Sequence, residues 1–122
     1  MASNPWQFQQ PVKGSTLKIG ETSVLLPSPI EVVVEVDGTV LVLLHEKGSR
    51  KRKPHGNIYA FDRAGRRLWI VDAPPMFEGW YHPFTGLYVR DGWPFAYSPI
   101  GVEYEINISN GRLIEVPGQR PW

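Results

Sequence analysis

Residues 31–44 constrain the fold of this chain more than any other segment. Val32, Val33, Val34 and Val36 run into Asp37-Gly38, and Val40, Leu41, Val42, Leu43 and Leu44 run out of it. Asp-Gly favours a two-residue type I′ turn, because both central positions of that turn need φ > 0. Turning there sets Val34 opposite Leu41 and Val32 opposite Leu43. Both faces of the resulting hairpin are apolar, so its expected place is the middle of a core.

The same grammar recurs along the chain. Residues 57–62 and 67–71 read as strands around the four-residue connection 63–66, a spacing that pairs Phe61 with Leu68 and Tyr59 with Ile70. Residues 102–116 form a third hairpin around Ser109-Asn110-Gly111, where Asn-Gly supplies the left-handed conformation. Residues 86–90 and 95–97 flank Asp91-Gly92, and Pro94 marks the second of these strands as short or as an edge strand. Residues 16–19 and 23–26 add two short strands near the start. No window carries a helical stripe. The expectation is an all-β fold, an antiparallel meander of about seven to nine short strands forming a small barrel or a two-sheet sandwich.

Composition bears this out and sets limits. A chain of 122 residues fits a single domain, and 42% hydrophobic residues are too many for a disordered one. Gly 12 and Pro 12 disfavour long helices and favour turns. The domain is expected over 15–116, with Pro-rich tails at 1–14 and 117–122 in which Trp6, Phe8 or Trp122 are available as anchors. With no cysteine, disulfides, thiol nucleophiles and thiolate metal sites are excluded. The first fifteen residues lack the cationic start and apolar run of a signal peptide, and the apolar stretch 32–44 is too short to span a bilayer. A cytoplasmic location is expected.

Tyr59, Phe61, Asp62, Arg67, Leu68 and Val71 recur forty-five positions later as Tyr104, Ile106, Asn107, Arg112, Leu113 and Val116. That period lies in the range of propeller blades. Residues 60–65 with Trp69 resemble the blade motif of quinoprotein-type propellers, A-x-D-x-x-T-G-x-x-x-W, with a turn one residue shorter and with Glu115 in place of the second tryptophan. Two such units are too few to close a ring. The stretch from Asn57 to Val71 also resembles small uncharacterised bacterial proteins carrying N-[IV]-x-x-[FY]-[DN]-x-x-G-x-x-x-W-x-[IV], followed by a hairpin like that at Tyr104-Glu105-Ile106-Asn107. Some of those proteins are of immunity type and neutralise a toxin by covering it. The resemblance implies a hairpin-rich fold and an occluding inhibitor, and it brings no catalytic residues.

The residues themselves offer little catalytic chemistry. His45, His55 and His82 are scattered without a metal-ligand spacing, and no nucleophile elbow, phosphate loop or dinucleotide fingerprint is present. Glu103 and Glu105 share one face of a strand by period two, a spacing that brings carboxylates to hydrolytic distance trivially and that a solvated strand face explains. The expectation is a non-enzymatic protein with no cofactor and no metal.

Two loops stand out instead. Residues 46–56 read EKGSRKRKPHG and hold Lys47, Arg50, Lys51, Arg52 and Lys53. Removing those five and Glu46 from 13 cations and 12 acids leaves 8 cations and 11 acids, a net −3. A basic arm on an acidic body suits an acidic protein surface or nucleic-acid phosphates, and it equally describes a solvated hairpin loop. No aromatic residue is interleaved with it to stack on bases. Residues 72–85, DAPPMFEGWYHPFT, concentrate Met76, Phe77, Trp80, Tyr81 and Phe84. Those residue types match interface hot spots, and they equally serve to close an open end of the sheet. The expected function is protein binding through the aromatic loop, with a second copy of the chain among the candidate partners. The alternatives are nucleic-acid binding through the basic loop, or a small carbohydrate-binding or hydrolase domain using Glu103, Glu105 and the tryptophans. No membrane partner is expected.

Overall fold

The computed structural model describes residues 14–119. It is all-β, with ten short strands: β1 (Thr16–Ile19), β2 (Thr22–Leu25), β3 (Ile30–Val36), β4 (Thr39–Leu44), β5 (Ile58–Phe61), β6 (Arg67–Ile70), β7 (Gly86–Arg90), β8 (Trp93–Tyr97), β9 (Glu103–Ile106) and β10 (Leu113–Glu115). They form a β1-β2 hairpin, a sheet in the order β3-β4-β5-β6 and a sheet in the order β10-β9-β8-β7, all antiparallel. No sheet closes on itself, so of the two closures expected the architecture is that of a small sandwich.

The hairpin over 31–44 folds as its sequence dictates. Asp37 and Gly38 take φ of 48° and 78°, and Val34 pairs with Leu41 and Val32 with Leu43. Its apolar faces are covered by two different layers. Leu41 and Leu43, with Ile58 and Ala60 of β5, pack against Leu87, Ala96, Tyr104 and Ile106 of the second sheet. Val40, Val42 and Leu44, with Tyr59 and Phe61, pack against Leu17 and Ile19 of the β1-β2 hairpin. The β3–β6 sheet is therefore the middle of three layers, and each fully buried Leu or Val in it contributes on the order of 2 kcal/mol. β4 occupies the interior, whereas β3 runs along the sheet edge and is mostly half-buried.

Three details differ from the sequence reading. Ten strands are present, because even the shortest segments pair. Phe61 pairs with Arg67 rather than Leu68, across a bulge. The cause is Asp62, whose carboxylate accepts the Ala64 and Arg66 N–H groups (both 2.9 Å) while its own N–H donates to the Arg66 carbonyl, closing the turn one residue early. Pro94, finally, lies in the five-residue β8, which is short as read but is an inner strand and not an edge. It is tolerated because β8 registers with β9 only over Phe95, Ala96 and Tyr97, so no ladder bond is asked of the proline nitrogen on that side.

Residues 1–13 and 120–122, with Trp6, Phe8 and Trp122, lie outside the described residues. The last described residue of the C-terminal segment is held by its side-chain amide: Gln119 accepts the Glu103 N–H and donates to the Glu103 carbonyl (both 2.7 Å), extending the β10–β9 ladder without a strand.

Candidate partner-binding site

β6 runs antiparallel to β5 and hence parallel to β4, so the connections that follow β4 and β6 emerge at the same end of the sandwich. Those connections are the basic loop and the aromatic loop. Asn57, fully buried at the start of β5, ties their roots together. Its side chain donates to the Leu44 carbonyl (2.7 Å) and the Phe84 carbonyl (2.9 Å) and accepts the Phe84 N–H (2.9 Å).

Further out the loops are clasped directly. Ser49 and Tyr81 exchange backbone hydrogen bonds of 3.1 and 2.6 Å, and the Tyr81 hydroxyl donates to Glu46 Oε1 at 2.9 Å. The Arg50 guanidinium lies 4.8 Å from the centre of the Trp80 ring, and Lys53 Nζ lies 5.9 Å from that of Tyr81. Trp80 is presented by a tight turn, in which Glu78 and Gly79 take positive φ while Phe77 and Trp80 exchange backbone bonds of 3.0 Å. Segments some thirty residues apart in sequence thus form one surface.

The five aromatic-loop candidates divide between surface and interior. Trp80 is 37% exposed. Met76 and Phe77 are half-buried and line a groove of about 400 Å³ with Val102, Tyr104 and Val116. Tyr81 and Phe84 are core residues, 1% and 2% exposed, with Phe84 edge-on to Tyr104 inside the inter-sheet core. These two close the end of the sandwich and are not available to a partner. Burial, then the Glu46 carboxylate and its hydrogen bond, holds the Tyr81 hydroxyl well above its ordinary pKa, so it stays a donor.

All five cations of the basic loop are exposed, and among the described residues none has a carboxylate within ion-pair distance. Glu46, the one acid in the arm, is engaged by Tyr81. The sequence missed Glu46, Ser49 and Asn57 as organisers of this site, since their partners lie 27 to 35 positions away or are backbone atoms.

The other chemical candidates are placed elsewhere. Glu103 and Glu105 alternate with the buried Tyr104 and Ile106 and so stand on the outer face of the second sheet. Glu103 is held in the fork of Arg90 (3.0 and 2.8 Å) and takes the Tyr88 hydroxyl, so this carboxylate is committed to a structural network. His45 lies 3.6 Å from Glu31, His55 bonds the Gly56 carbonyl and His82 sits beside Phe77. No group of three His, Asp or Glu among the described residues is placed to hold a metal ion. Among the described residues no helix is long and apolar enough to cross a membrane.

A family model described as Domain of unknown function (DUF7957) matches residues 8–117. The chain belongs to the DUF7957 family. No curated protein and no solved structure matches it. The family match spans every strand and both loops of the DUF7957 domain, so the clasped end lies within the family unit and is not an appendage to it.

Proposed function

We propose that the protein is a non-enzymatic binding module that docks an acidic protein surface on the clasped end of its sandwich. The observation that carries this reading is the joining of Trp80 to an arm of five cations without carboxylate partners among the described residues. A large aromatic beside several unneutralised charges is the chemistry of an interface anchor with steering, in which the ring supplies residence and the charges supply encounter rate. Nucleic acid is the weaker reading, because the Arg50 guanidinium already lies over the Trp80 ring that a base would stack on. The commitment of Glu103 to Arg90 and Tyr88 supports the non-enzymatic part of the proposal. Occlusion of a toxin is the specific form implied by the resemblance of the 57–71 and 102–116 hairpins to immunity-type proteins.

The test is affinity capture of a partner, followed by reconstitution from purified components. Trp80→Ala is expected to weaken binding at least about tenfold while leaving the fold intact. Neutralising Arg50, Lys51, Arg52 and Lys53 together is expected to slow association and flatten its salt dependence. Salt-dependent binding of single-stranded oligonucleotides, with no protein captured, would replace this reading by the nucleic-acid one.

A further inference from the structure

A basin of about 450 Å³ opens beside the clasp, between the β2–β3 connection and the basic arm. Ser28 of the β2–β3 connection lines it together with His45, Glu46, Lys47, Gly48, Ser49 and Lys53. Two lysines, two serines and a histidine therefore border one small space, with Lys53 Nζ 5.9 Å from the centre of the Tyr81 ring and Ser49 Oγ accepting the Lys51 N–H at 3.0 Å. Its single lining carboxylate, Glu46, is engaged through Oε1 by the Tyr81 hydroxyl. His45 Nδ1 lies 3.6 Å from Glu31, and its Nε2 has no partner among the described residues. Arg50, Lys51 and Arg52 add three further charges to the field around the opening.

We propose that this basin binds a phosphoryl dianion, a phosphate monoester or inorganic phosphate. The proposal rests on the reading that the basic arm is the binding surface, and it specifies the chemistry the ligand presents there. Lysine serves phosphate as a mobile point charge, and two lysines match a dianion where a carboxylate would use only one. Hydroxyl and imidazole donors fit the remaining oxygens of a tetrahedral group. A phosphodiester carries a single charge and continues on both sides, which asks for a track rather than a basin.

Inorganic phosphate is titrated into the full chain at constant ionic strength, and the amide resonances of residues 45–53 are followed by NMR. Saturable shifts centred on Gly48 and Ser49 are expected, with Lys47→Gln and Lys53→Gln each weakening binding about tenfold. Arg52→Gln, outside the basin lining, is expected to weaken it no more than about twofold. A phosphoserine peptide that outcompetes inorganic phosphate assigns the site to a modified protein; one that does not assigns it to the free anion, and either supports the shared chemistry. Shifts that do not saturate, or an Arg52→Gln loss equal to the lysine losses, overturn the proposal. So does an oligonucleotide that binds more tightly than the phosphoserine peptide. The probe is the anion alone, so this experiment succeeds or fails independently of partner capture.

Discussion

Gly111 and Gly79 share a left-handed backbone, with φ of 78° and 79°, but their surroundings differ. A Cβ on Gly79 meets open space, while one on Gly111 falls 2.8 Å from Cδ2 of Trp69 and closer still to Cε3. Gly79→Ala should therefore cost only the left-handed penalty, on the order of 1–2 kcal/mol. Gly111→Ala adds a clash with a ring that is pinned by its Nε1 bond to the Ile108 carbonyl (2.9 Å), and should cost about 3 kcal/mol or more. Thermal denaturation reads the difference, and equal losses would show that Trp69 yields freely. Tyr81 is a residue whose effect appears in the pH dependence. Its pKa is raised in the fold, chiefly by burial, so its contribution is fully present below the unfolded tyrosine pKa of about 10 and is lost as pH climbs above it. Tyr59 and Tyr104 are shifted in the same direction, also chiefly by burial. Denaturant titrations from pH 9 to 12 should show falling stability, with a slope in Tyr81→Phe shallower by at most about 1.4 kcal/mol per pH unit. An unchanged slope would mean that Tyr81 ionises in the fold as readily as in the unfolded chain.

The connections between strands carry the site, and one buried amide sets their geometry. Asn57→Ala removes the partners of the Leu44 carbonyl and of both backbone groups of Phe84, all within the core. Stranding such groups should cost about 3 kcal/mol or more, seen as a lower urea midpoint at unchanged m-value. A loss below about 1 kcal/mol would show that water replaces the amide. The strands themselves are legible because turn dipeptides and apolar alternation are local signals: Asp37-Gly38 and Asp91-Gly92 turn with positive φ at both positions, and Asn110-Gly111 marks a turn closed on the Asn107 carbonyl with only Gly111 left-handed. On β5 and β6 the pairing of Tyr59 with Ile70 is legible from turn length, but that of Phe61 is not, because the Asp62 carboxylate closes the loop and shifts the last pair across a bulge. The loops were legible as unusual but not as joined. Nothing local announces that Ser49 pairs with Tyr81, or that Trp80 supplies the aromatic missing from the basic arm. The division of the aromatic loop into an exposed Trp80 and a buried Tyr81 and Phe84 follows from the turn at Glu78-Gly79, which φ values reveal and composition does not.

At the scale of the molecule, one sheet serves two cores. β4 faces the second sheet with Leu41 and Leu43 and the β1-β2 hairpin with Val40, Val42 and Leu44. Neither core can dissolve without exposing an apolar face of the same strand, so the layers should unfold together. Leu17, fully buried between the β1-β2 hairpin that carries it and the middle sheet, tests this from the end of the molecule farthest in sequence from the second sheet. Leu17→Ala should cost about 2–5 kcal/mol. If the layers are coupled, native-state hydrogen exchange will show the amides of β9 losing as much protection as those of β4, although no β9 residue belongs to the Leu17 core. If exchange accelerates in β1 and β2 while β9 keeps its protection, the hairpin is a separately opening layer. The coupled outcome bears directly on binding, because β4 and β5 also root the basic loop: a core that melts as one unit holds Trp80 and the arm in place until the whole domain unfolds.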